Sequence, residues 1–169
     1  MLLILIPGLI LVALMIYAST RIKKTAAAAF DAETIETDEF IIQKPEGFLH
    51  NLNGDPKYIF EAYSKDFSKA NDKQRAGTAT ITRIKNDTLS KVAGDLIQVA
   101  NLADDETQII DEHRYRLLTL NKNIDGVETE ISYKLAEKNG SVYILEITAL
   151  EESANGQWVE TFFDSFRVK

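Results

Sequence analysis

The first twenty residues of this chain contain no charged side chain, and this stretch constrains the fold more than any other feature. Residues Leu2 to Ala18 are almost all apolar, and the first charge is Arg21. At about 1.5 Å of rise per residue, twenty helical residues cover roughly 30 Å, the hydrocarbon thickness of a bilayer. The sequence therefore predicts a transmembrane helix over residues 1–20, with the bilayer as the partner of residues 2–20.

A cleaved signal peptide is the alternative interpretation, because Ala26 to Ala29 offer small residues to a peptidase. A signal peptide carries positive charge before its apolar core, whereas here Arg21, Lys23 and Lys24 follow it. By the positive-inside rule this flank stays in the cytoplasm. We expect a single-pass protein of the cell membrane with its folded domain on the cytoplasmic side, and the exported face is the alternative location.

The composition narrows the classes of protein that the rest of the chain can form. With 169 residues, 45% hydrophobic and 27% charged, the chain has the length and composition of one folded domain. The absence of cysteine excludes a disulfide scaffold, a thiol nucleophile and a cysteine-bound metal. A net charge of −7 argues against nucleic acid as a partner. No sequence feature calls for a cofactor.

Periodicity divides the rest of the chain into a juxtamembrane stalk over residues 21–37 and a folded domain over residues 38–169. An apolar stripe predicts a helix with Asp87 or Thr88 as its N-cap. The acidic run Asp104-Asp105-Glu106 after this helix predicts a solvated loop. The stripe consists of Leu89, Val92, Ala93, Leu96, Val99, Ala100 and Ala103. Strands are expected over residues 38–43, 57–64 and 78–84, with a loop over 67–75.

Two alternating segments on either side of Asn139-Gly140 predict a β-hairpin. A two-residue turn would pair Lys134 with Leu145, whereas a three-residue loop would pair Tyr133 with Leu145. Because the second register sets apolar side chains opposite one another, we expect a three-residue loop with Gly140 in a bulge. The same reasoning places Tyr115 of the preceding strand opposite Tyr133, and it predicts a five-residue loop between Asn121 and Val127. Three consecutive strands then form an antiparallel meander that is apolar on both faces.

Aromatic residues at helical spacing predict a helix near the C-terminus, with Ser153 or Asn155 as its cap. The stripe consists of Trp158, Thr161, Phe162 and Phe166. The last residues form either the end of this helix or an extended tail. A sheet that is apolar on both faces needs cover on both faces. The predicted fold class is therefore α+β, an α/β/α sandwich on a mostly antiparallel sheet of about six strands, preceded by one N-terminal transmembrane helix.

This order of elements resembles the PsbP-like and Mog1-like family of α/β/α sandwiches. Three segments carry the resemblance, and together they extend it over residues 38–169. FIIQKPEGF at 40–48 is similar to the family's first strand and its Pro-x-Gly-aromatic turn. TATITRIKNDTLSKVAGDL at 78–96 is similar to its strand followed by a helix. ETFFDSFRVK at 160–169 is similar to its final helix and closing segment.

The resemblance implies a non-catalytic role. Plant members of the family are assembly or stabilising subunits of a photosynthetic complex, and others bind a small GTPase. No binding residue of the family matches a position of this chain. Members near photosystems are typically lumenal and soluble, so the apolar N-terminal stretch is a departure from the family pattern.

Residues that could carry chemistry are few. The only histidines are His50, in a polar loop, and His113, which follows Asp111-Glu112 at the start of a strand. Adjacent positions on a strand point to opposite faces, so the three residues at 111–113 are not expected to hold a metal together. The run at 104–106 lacks the spacing and glycine of a calcium loop. We expect no catalytic residue, no cofactor-binding residue and no metal site.

The segment from Gly47 to Pro56 is the strongest candidate for an interaction site. Phe48, Leu49 and His50 form a candidate partner-docking loop if the first two are exposed, and a structural segment if both are packed. We expect a membrane-anchored, non-catalytic module that binds another protein or assembles a complex. The alternatives are an enzyme of unrecognised type, with His50 or His113 as its base, and a domain that binds a small ligand or lipid.

Overall fold

Helix α1 (Leu2–Ala28) is the first element of the chain and covers the predicted membrane segment and the start of the predicted stalk. The computed structural model describes residues 2–64, 77–100, 104–110, 113–124, 127–150 and 156–169. Within these residues, no helix combines the length and hydropathy that crossing a membrane requires. The transmembrane segment over residues 2–20 is not supported by this finding and stays a prediction.

A small antiparallel sheet follows α1. Its central strand is β2 (Phe40–Lys44), flanked by β1 (Glu33–Glu36) and by the C-terminal strand β10 (Arg167–Val168). Strand β2 confirms the first predicted strand, and β10 confirms the extended tail. Strand β1 lies within the range predicted as stalk and pairs with β2 over its whole length. The folded part of the chain therefore includes residues on the N-terminal side of residue 38.

Buried Lys44 joins the end of α1 to the sheets. Its side chain is 1% exposed, and its ammonium donates hydrogen bonds to the carbonyls of Ala29, Asp31 and Phe48 at 3.2, 2.5 and 2.7 Å. The Gly47 N–H also donates to the carbonyl of Phe30 at 2.7 Å. These bonds hold residues 29–31, which follow α1, against β2 and the start of β3.

Seven antiparallel strands form the main sheet, in the order β3-β4-β5-β9-β8-β7-β6. The strands predicted over 57–64 and 78–84 are confirmed, and the three C-terminal strands lie side by side as the predicted meander. The loop predicted over 67–75 lies outside the described residues. The strands are β3 (Phe48–His50), β4 (Tyr58–Ser64), β5 (Gly77–Lys85), β6 (Asp104–Ile110), β7 (His113–Ile124), β8 (Val127–Lys138) and β9 (Ser141–Leu150).

The predicted register of the β8–β9 hairpin is wrong. Lys134 pairs with Leu145, and Tyr133 pairs with Glu146, which is the register of a two-residue turn. Asn139 and Gly140 both have positive φ, at 53° and 70°. Positive φ at both central residues defines a type I′ turn, whose twist matches that of the strands, and Asn-Gly is its preferred sequence.

The register predicted between β7 and β8 is also wrong. Ile124 pairs with Val127, so only residues 125–126 separate the two strands instead of the five-residue loop that was expected. In this register Tyr115 lies opposite Ala136 instead of Tyr133. The connecting residues, Asp125-Gly126, are outside the described part of the chain.

The sheet has one apolar cluster on each face, which explains the two register errors. The apolar residues of β8, such as Leu135, face one way and pack against helix α2 (Leu89–Ala100). The alternating set of β9 that includes Leu145 faces the opposite way and packs with helix α3 (Gln157–Ser165), whereas Val142 and Ile144 of β9 join the first cluster. Apolar residues of neighbouring strands therefore need not pair. The fold is mixed α+β with antiparallel sheets, as predicted.

Helix α2 begins as predicted, because the Thr88 hydroxyl accepts a hydrogen bond from the Lys91 N–H at 3.4 Å. Leu89, Val92 and Ala93 are buried and Leu96 is half-buried. Residue 103, at the end of the predicted stripe, lies outside the described residues.

Helix α3 begins at Gln157, and its N-cap residue, Gly156, provides no side-chain hydrogen bond. The two residues predicted to cap this helix, 153 and 155, lie outside the residues that the structure describes. Phe162 and Phe166 are fully buried. The C-terminal aromatic stripe is therefore core.

Asp104-Asp105-Glu106 is not a loop, contrary to prediction. These residues begin β6, where Asp104 pairs with Thr119 and Glu106 with Leu117. Strand pairing outweighs the low β-propensity of acidic residues at this position. Strand β6 lies at the edge of the sheet, where charged residues discourage pairing with a further chain.

Candidate functional site

A concave corner lies where β3 leads into β4, and it contains the segment predicted to dock a partner. The Asn51 N–H donates to the Glu61 carbonyl at 2.8 Å and extends the pairing of the two strands. Asp55 then shapes the turn, because its carboxylate accepts from the Lys57 N–H at 3.0 Å and its carbonyl accepts from the Tyr58 N–H at 3.0 Å. Asx turns of this kind are typical of aspartate in tight connections.

This corner encloses a cavity of about 370 Å³, which we call the corner pocket. Its volume is within the range of small-molecule sites. The lining residues are His50, Asn51, Leu52, Gly54, Asp55, Pro56, Tyr58, Ile59, Phe60 and Glu61.

The three residues predicted to dock a partner belong to strand β3 instead of a loop. Phe48 is 4% exposed, packs against Trp158 with ring centroids 4.8 Å apart, and is part of the core. Leu49 and His50 are half-buried and pair with Tyr63 and Ala62 of β4. Phe48 is therefore not exposed as a docking residue would be, and of the three only His50 lines the corner pocket.

Sequence reasoning missed the exposed apolar residue of this segment. Leu52 is 81% exposed and lines the corner pocket. Among the side chains whose burial the structure describes, the other exposed large hydrophobic residues all lie on α1, where they are 53–67% exposed. The segment GFLHNLNGDP contained the signal, but Leu52 could not be ranked above Phe48 without knowing which side chain the strand buries.

His50 is held in its place by an aromatic neighbour and by burial. Its ring stacks on Phe60 with centroids 5.0 Å apart. Burial lowers the pKa of His50; the carboxylate of Glu33 opposes this shift and the ammonium of Lys44 adds to it. The ring is therefore predominantly neutral at pH 7. One of its nitrogens can donate a hydrogen bond and the other can accept one.

The Glu61 carboxylate is held in position by Asn51 and lies beside Gly54. Its Oε2 accepts a hydrogen bond from the Asn51 side-chain amide at 2.7 Å. A methyl group added to Gly54 would overlap this same oxygen, so glycine leaves the space that the carboxylate occupies. Glu61 is one of the two carboxylates that line the corner pocket.

The other residues considered for chemistry do not join this site. His113 begins β7, and residues 111–112 lie outside the described residues. Within the part of the chain that the structure describes, no three His, Cys, Asp or Glu side chains are grouped as metal ligands. The candidate site is therefore the corner pocket, which is lined by aromatic side chains and two carboxylates.

Comparison with known proteins finds structural likeness without sequence likeness. No protein-family model matches the chain. A search of curated proteins gives no match either. Solved structures of several bacterial proteins do share the fold.

CyanoP, the cyanobacterial PsbP of Synechocystis sp. PCC 6803, is similar with a TM-score of 0.57 and 12% identity over 83% of this chain and 94% of CyanoP. LpqN of Mycobacterium tuberculosis, described as involved in cell envelope biogenesis, has a TM-score of 0.57 and 11% identity over 82% of this chain and 91% of its own. A protein of Bacteroides thetaiotaomicron has a TM-score of 0.54 and 11% identity. The match covers 77% of this chain and 45% of that protein.

The fold is PsbP-like, which confirms at the level of structure the resemblance seen in the sequence. Identities of 11–12% establish a shared fold and carry no activity or partner with them.

Proposed function

We propose that this chain is a membrane-anchored, non-catalytic domain that binds another protein through the corner pocket and the adjacent Leu52. The exposure of Leu52 carries the proposal, because a large apolar side chain beside a concave pocket is the usual form of a protein-binding anchor. The proposed docking surface lies in the predicted segment from Gly47 to Pro56, and its apolar contact is Leu52 because Phe48 is buried.

Anchoring by α1 is supported by the sequence and by the surface of the helix. The first twenty residues carry no charge, and the described apolar side chains from Ile10 to Tyr17 are more than half exposed to solvent. Exposed apolar surface on this scale is unfavourable in water and favourable in lipid. Arg21, Lys23 and Lys24 then mark the cytoplasmic flank by the positive-inside rule.

Membrane anchoring is tested by extraction of the full chain from membranes at alkaline pH. The native chain should stay in the membrane pellet. Leu14→Lys places a charge on the apolar stretch, at a cost of about 3 kcal/mol if the position is at the bilayer centre, and should shift the chain toward the supernatant. Ser19→Lys, near the flank, is the matched control and should stay in the pellet. Release of the native chain would contradict anchoring.

Orientation is tested by adding protease to sealed vesicles of known sidedness. Digestion of the folded domain only from the cytoplasmic face supports the proposed location. Digestion only from the outer face would place the domain on the exported side, the location that fits the description of LpqN as a protein of cell envelope biogenesis.

Partner binding is tested by a photo-crosslinking residue at position 52, with position 160 on the exposed surface of α3 as the control. A single crosslinked protein that appears from position 52 and not from position 160 supports the proposal. Equal labelling from both positions, or none from either, would contradict docking at Leu52.

A further inference from the structure

A groove runs along one side of α1, where the uncharged stretch ends and the charged flank begins. Its volume is about 640 Å³, and it is open to solvent. It extends from Tyr17 to Ala29, which is about 18 Å along the helix axis. We call it the α1 groove, and its lining residues include Tyr17, Ala18, Arg21, Ile22, Thr25 and Ala26.

The α1 groove changes from apolar to cationic along its length. Tyr17 and Ala18 belong to the stretch without charge, and Arg21 is the first charged residue of the chain. The Tyr17 side chain is 65% exposed, and tyrosine is enriched where a helix passes from the hydrocarbon to the headgroups of a bilayer. A surface of this kind is complementary to a molecule that is apolar at one end and anionic at the other.

The cations of this flank have no anionic partner within the described part of the chain. No acidic residue precedes Asp31, and Arg21, Lys23 and Lys24 form no ion pair among the described residues. The Thr25 hydroxyl already donates to the Arg21 carbonyl at 3.0 Å. The guanidinium of Arg21 is therefore the group in the groove that can hold an anion, and its planar fork of donors matches a phosphate.

We propose that the α1 groove binds an anionic phospholipid of the surrounding bilayer, with the lipid phosphate on the Arg21 guanidinium. The acyl end of the lipid lies against Tyr17 and Ala18, and its headgroup lies toward Thr25 and Ala26. This inference rests on the proposed function, because it requires α1 to be in a membrane. It adds a particular lipid class and a particular face of the helix to that function.

Charge favours a lipid over a second copy of α1 in this groove. Two parallel copies that packed groove to groove would bring their Arg21 side chains together, and α1 carries no acidic residue that could separate them. Like charges repel most strongly where water is scarce. An anionic lipid neutralises the same charge, and one basic residue near such a lipid gives about a fivefold preference.

The experiment measures lipid selectivity by electron spin resonance of the full chain in phosphatidylcholine vesicles. Spin-labelled phosphatidylglycerol and spin-labelled phosphatidylcholine report the lipids that the protein surface restricts. The native chain should prefer phosphatidylglycerol about fivefold or more. Equal restriction of the two lipids would overturn the lipid site and leave the anchor in place. No restricted lipid at all, together with release at alkaline pH, would remove the anchor as well.

Two substitutions that remove the same charge separate a site in the groove from diffuse attraction. Arg21→Gln removes the cation of the groove and should lose most of the preference for phosphatidylglycerol. Lys23→Gln removes a cation that does not line the groove and should keep most of it. Equal losses in the two variants would assign the preference to the three cations together and overturn the site.

A second pair of variants tests the shape of the groove without changing its charge. Ala26→Leu fills the groove and should lower the preference about as far as Arg21→Gln does. Ala27→Leu adds the same side chain outside the groove and should bind lipid as the native chain does. Fluorescence of Trp158 confirms that the folded domain is intact in both variants. A native preference in Ala26→Leu would overturn the groove as the binding site.

Occupation of the groove by a second copy is tested by energy transfer between labelled chains. Because the chain has no cysteine, Glu160→Cys provides one position for a donor or an acceptor dye. Transfer that falls to the level of random encounters as lipid is added supports the proposal. Transfer that persists on addition of lipid and is lost in Ala26→Leu would place a second copy in the groove and overturn it.

Discussion

Two lysines illustrate how single buried charges organise this fold. Lys44 donates to carbonyls at the end of α1, and Lys134, 6% exposed, donates to the Phe163 carbonyl at 2.8 Å near the end of α3. Burial lowers the pKa of both side chains. A buried ammonium is tolerated when its hydrogen bonds are satisfied. Neither lysine could be identified from the sequence, because each occupies a polar position in a strand pattern.

Lys44→Met should destabilise the chain by about 2–4 kcal/mol, because it removes the buried ammonium that three carbonyls share, of which that of Phe48 is buried. Chemical denaturation of the full chain in micelles measures the change. Lys91→Met is the matched control: Lys91 forms an exposed ion pair with Asp87, and because solvent screens such a pair, its loss should cost much less than the loss of Lys44. Equal effects of the two substitutions would contradict a structural role for Lys44.

His50 should make stability depend on pH. Its pKa in the folded chain lies below the ordinary value of 6.5, so the unfolded chain binds the proton more readily. The free energy of unfolding should therefore fall as the pH drops from 6.5 through the folded-state pKa, and this contribution should be constant above 6.5. Glu33 and Lys44 are the charged groups that act on the ring.

The measurement compares the native chain with His50→Gln by denaturation at several pH values between 5 and 8. The difference between the two chains should change below pH 6.5 and stay constant above it. Glu146, whose pKa burial raises, titrates in both chains and cancels in the difference. A difference that does not vary with pH would rule out His50 as the titrating group.

At the scale of elements, the six strands expected from the sequence are the interior strands of the two sheets. The four other strands, β1, β3, β6 and β10, are all edge strands. Interior strands have neighbours on both sides and carry the alternating or β-branched patterns that sequence reasoning detects. Edge strands here are short or acidic, and only their pairing with a neighbour defines them. For this reason the interior strands of the sheets were predictable from the sequence, and the edge strands were not.

Strand register shows a second limit of sequence reasoning. The apolar alternations of β8 and β9 are each clear, but they face opposite sides of the sheet, toward Leu89 and Phe162 respectively. Matching apolar with apolar is valid when only one face is buried. In a sheet covered on both faces, the turn sequence is the stronger indicator of register, and Asn139-Gly140 indicated it correctly.

Replacing glycine by alanine should change the free energy of unfolding in opposite directions in the β8–β9 turn and in helix α2. Gly140→Ala should cost about 1 kcal/mol or more, because alanine disfavours a φ of 70° although nothing obstructs its methyl group. Gly94→Ala, in the middle of α2 with open space around it, should stabilise the chain by about 0.5–1 kcal/mol. Urea denaturation measures both. A stabilising Gly140→Ala would contradict the type I′ turn.

At the scale of the whole molecule, the class of fold was predictable and the candidate site only partly. Helical and strand periodicity placed α2, α3 and the meander. The sequence also indicated the segment that contains the corner pocket. It could not show that Phe48 is core, that Leu52 is exposed, or that Glu61 comes next to Asn51, because these facts depend on pairing between β3 and β4.

The two apolar clusters should unfold as one unit, because the same strands support both. Leu135 and Leu145 are both fully buried, on opposite faces of the sheet. Leu135→Ala and Leu145→Ala should each lower the free energy of unfolding by about 2–5 kcal/mol and shift one common transition. Fluorescence of Trp158 and far-UV circular dichroism monitor it. Separate transitions for the two probes would indicate independent layers.

The attachment at the end of α1 has a mechanical consequence. A pull on the N-terminal helix is transmitted through Phe30 and the Lys44 ammonium to β2, the middle strand of the small sheet. Strand β2 is held on one side by β10, so α1 and β10 bear the load together. Tension on α1 would then reach the C-terminal residues through β2, and it would reach β3, which leads into the corner pocket, through the bond from Lys44 to the Phe48 carbonyl.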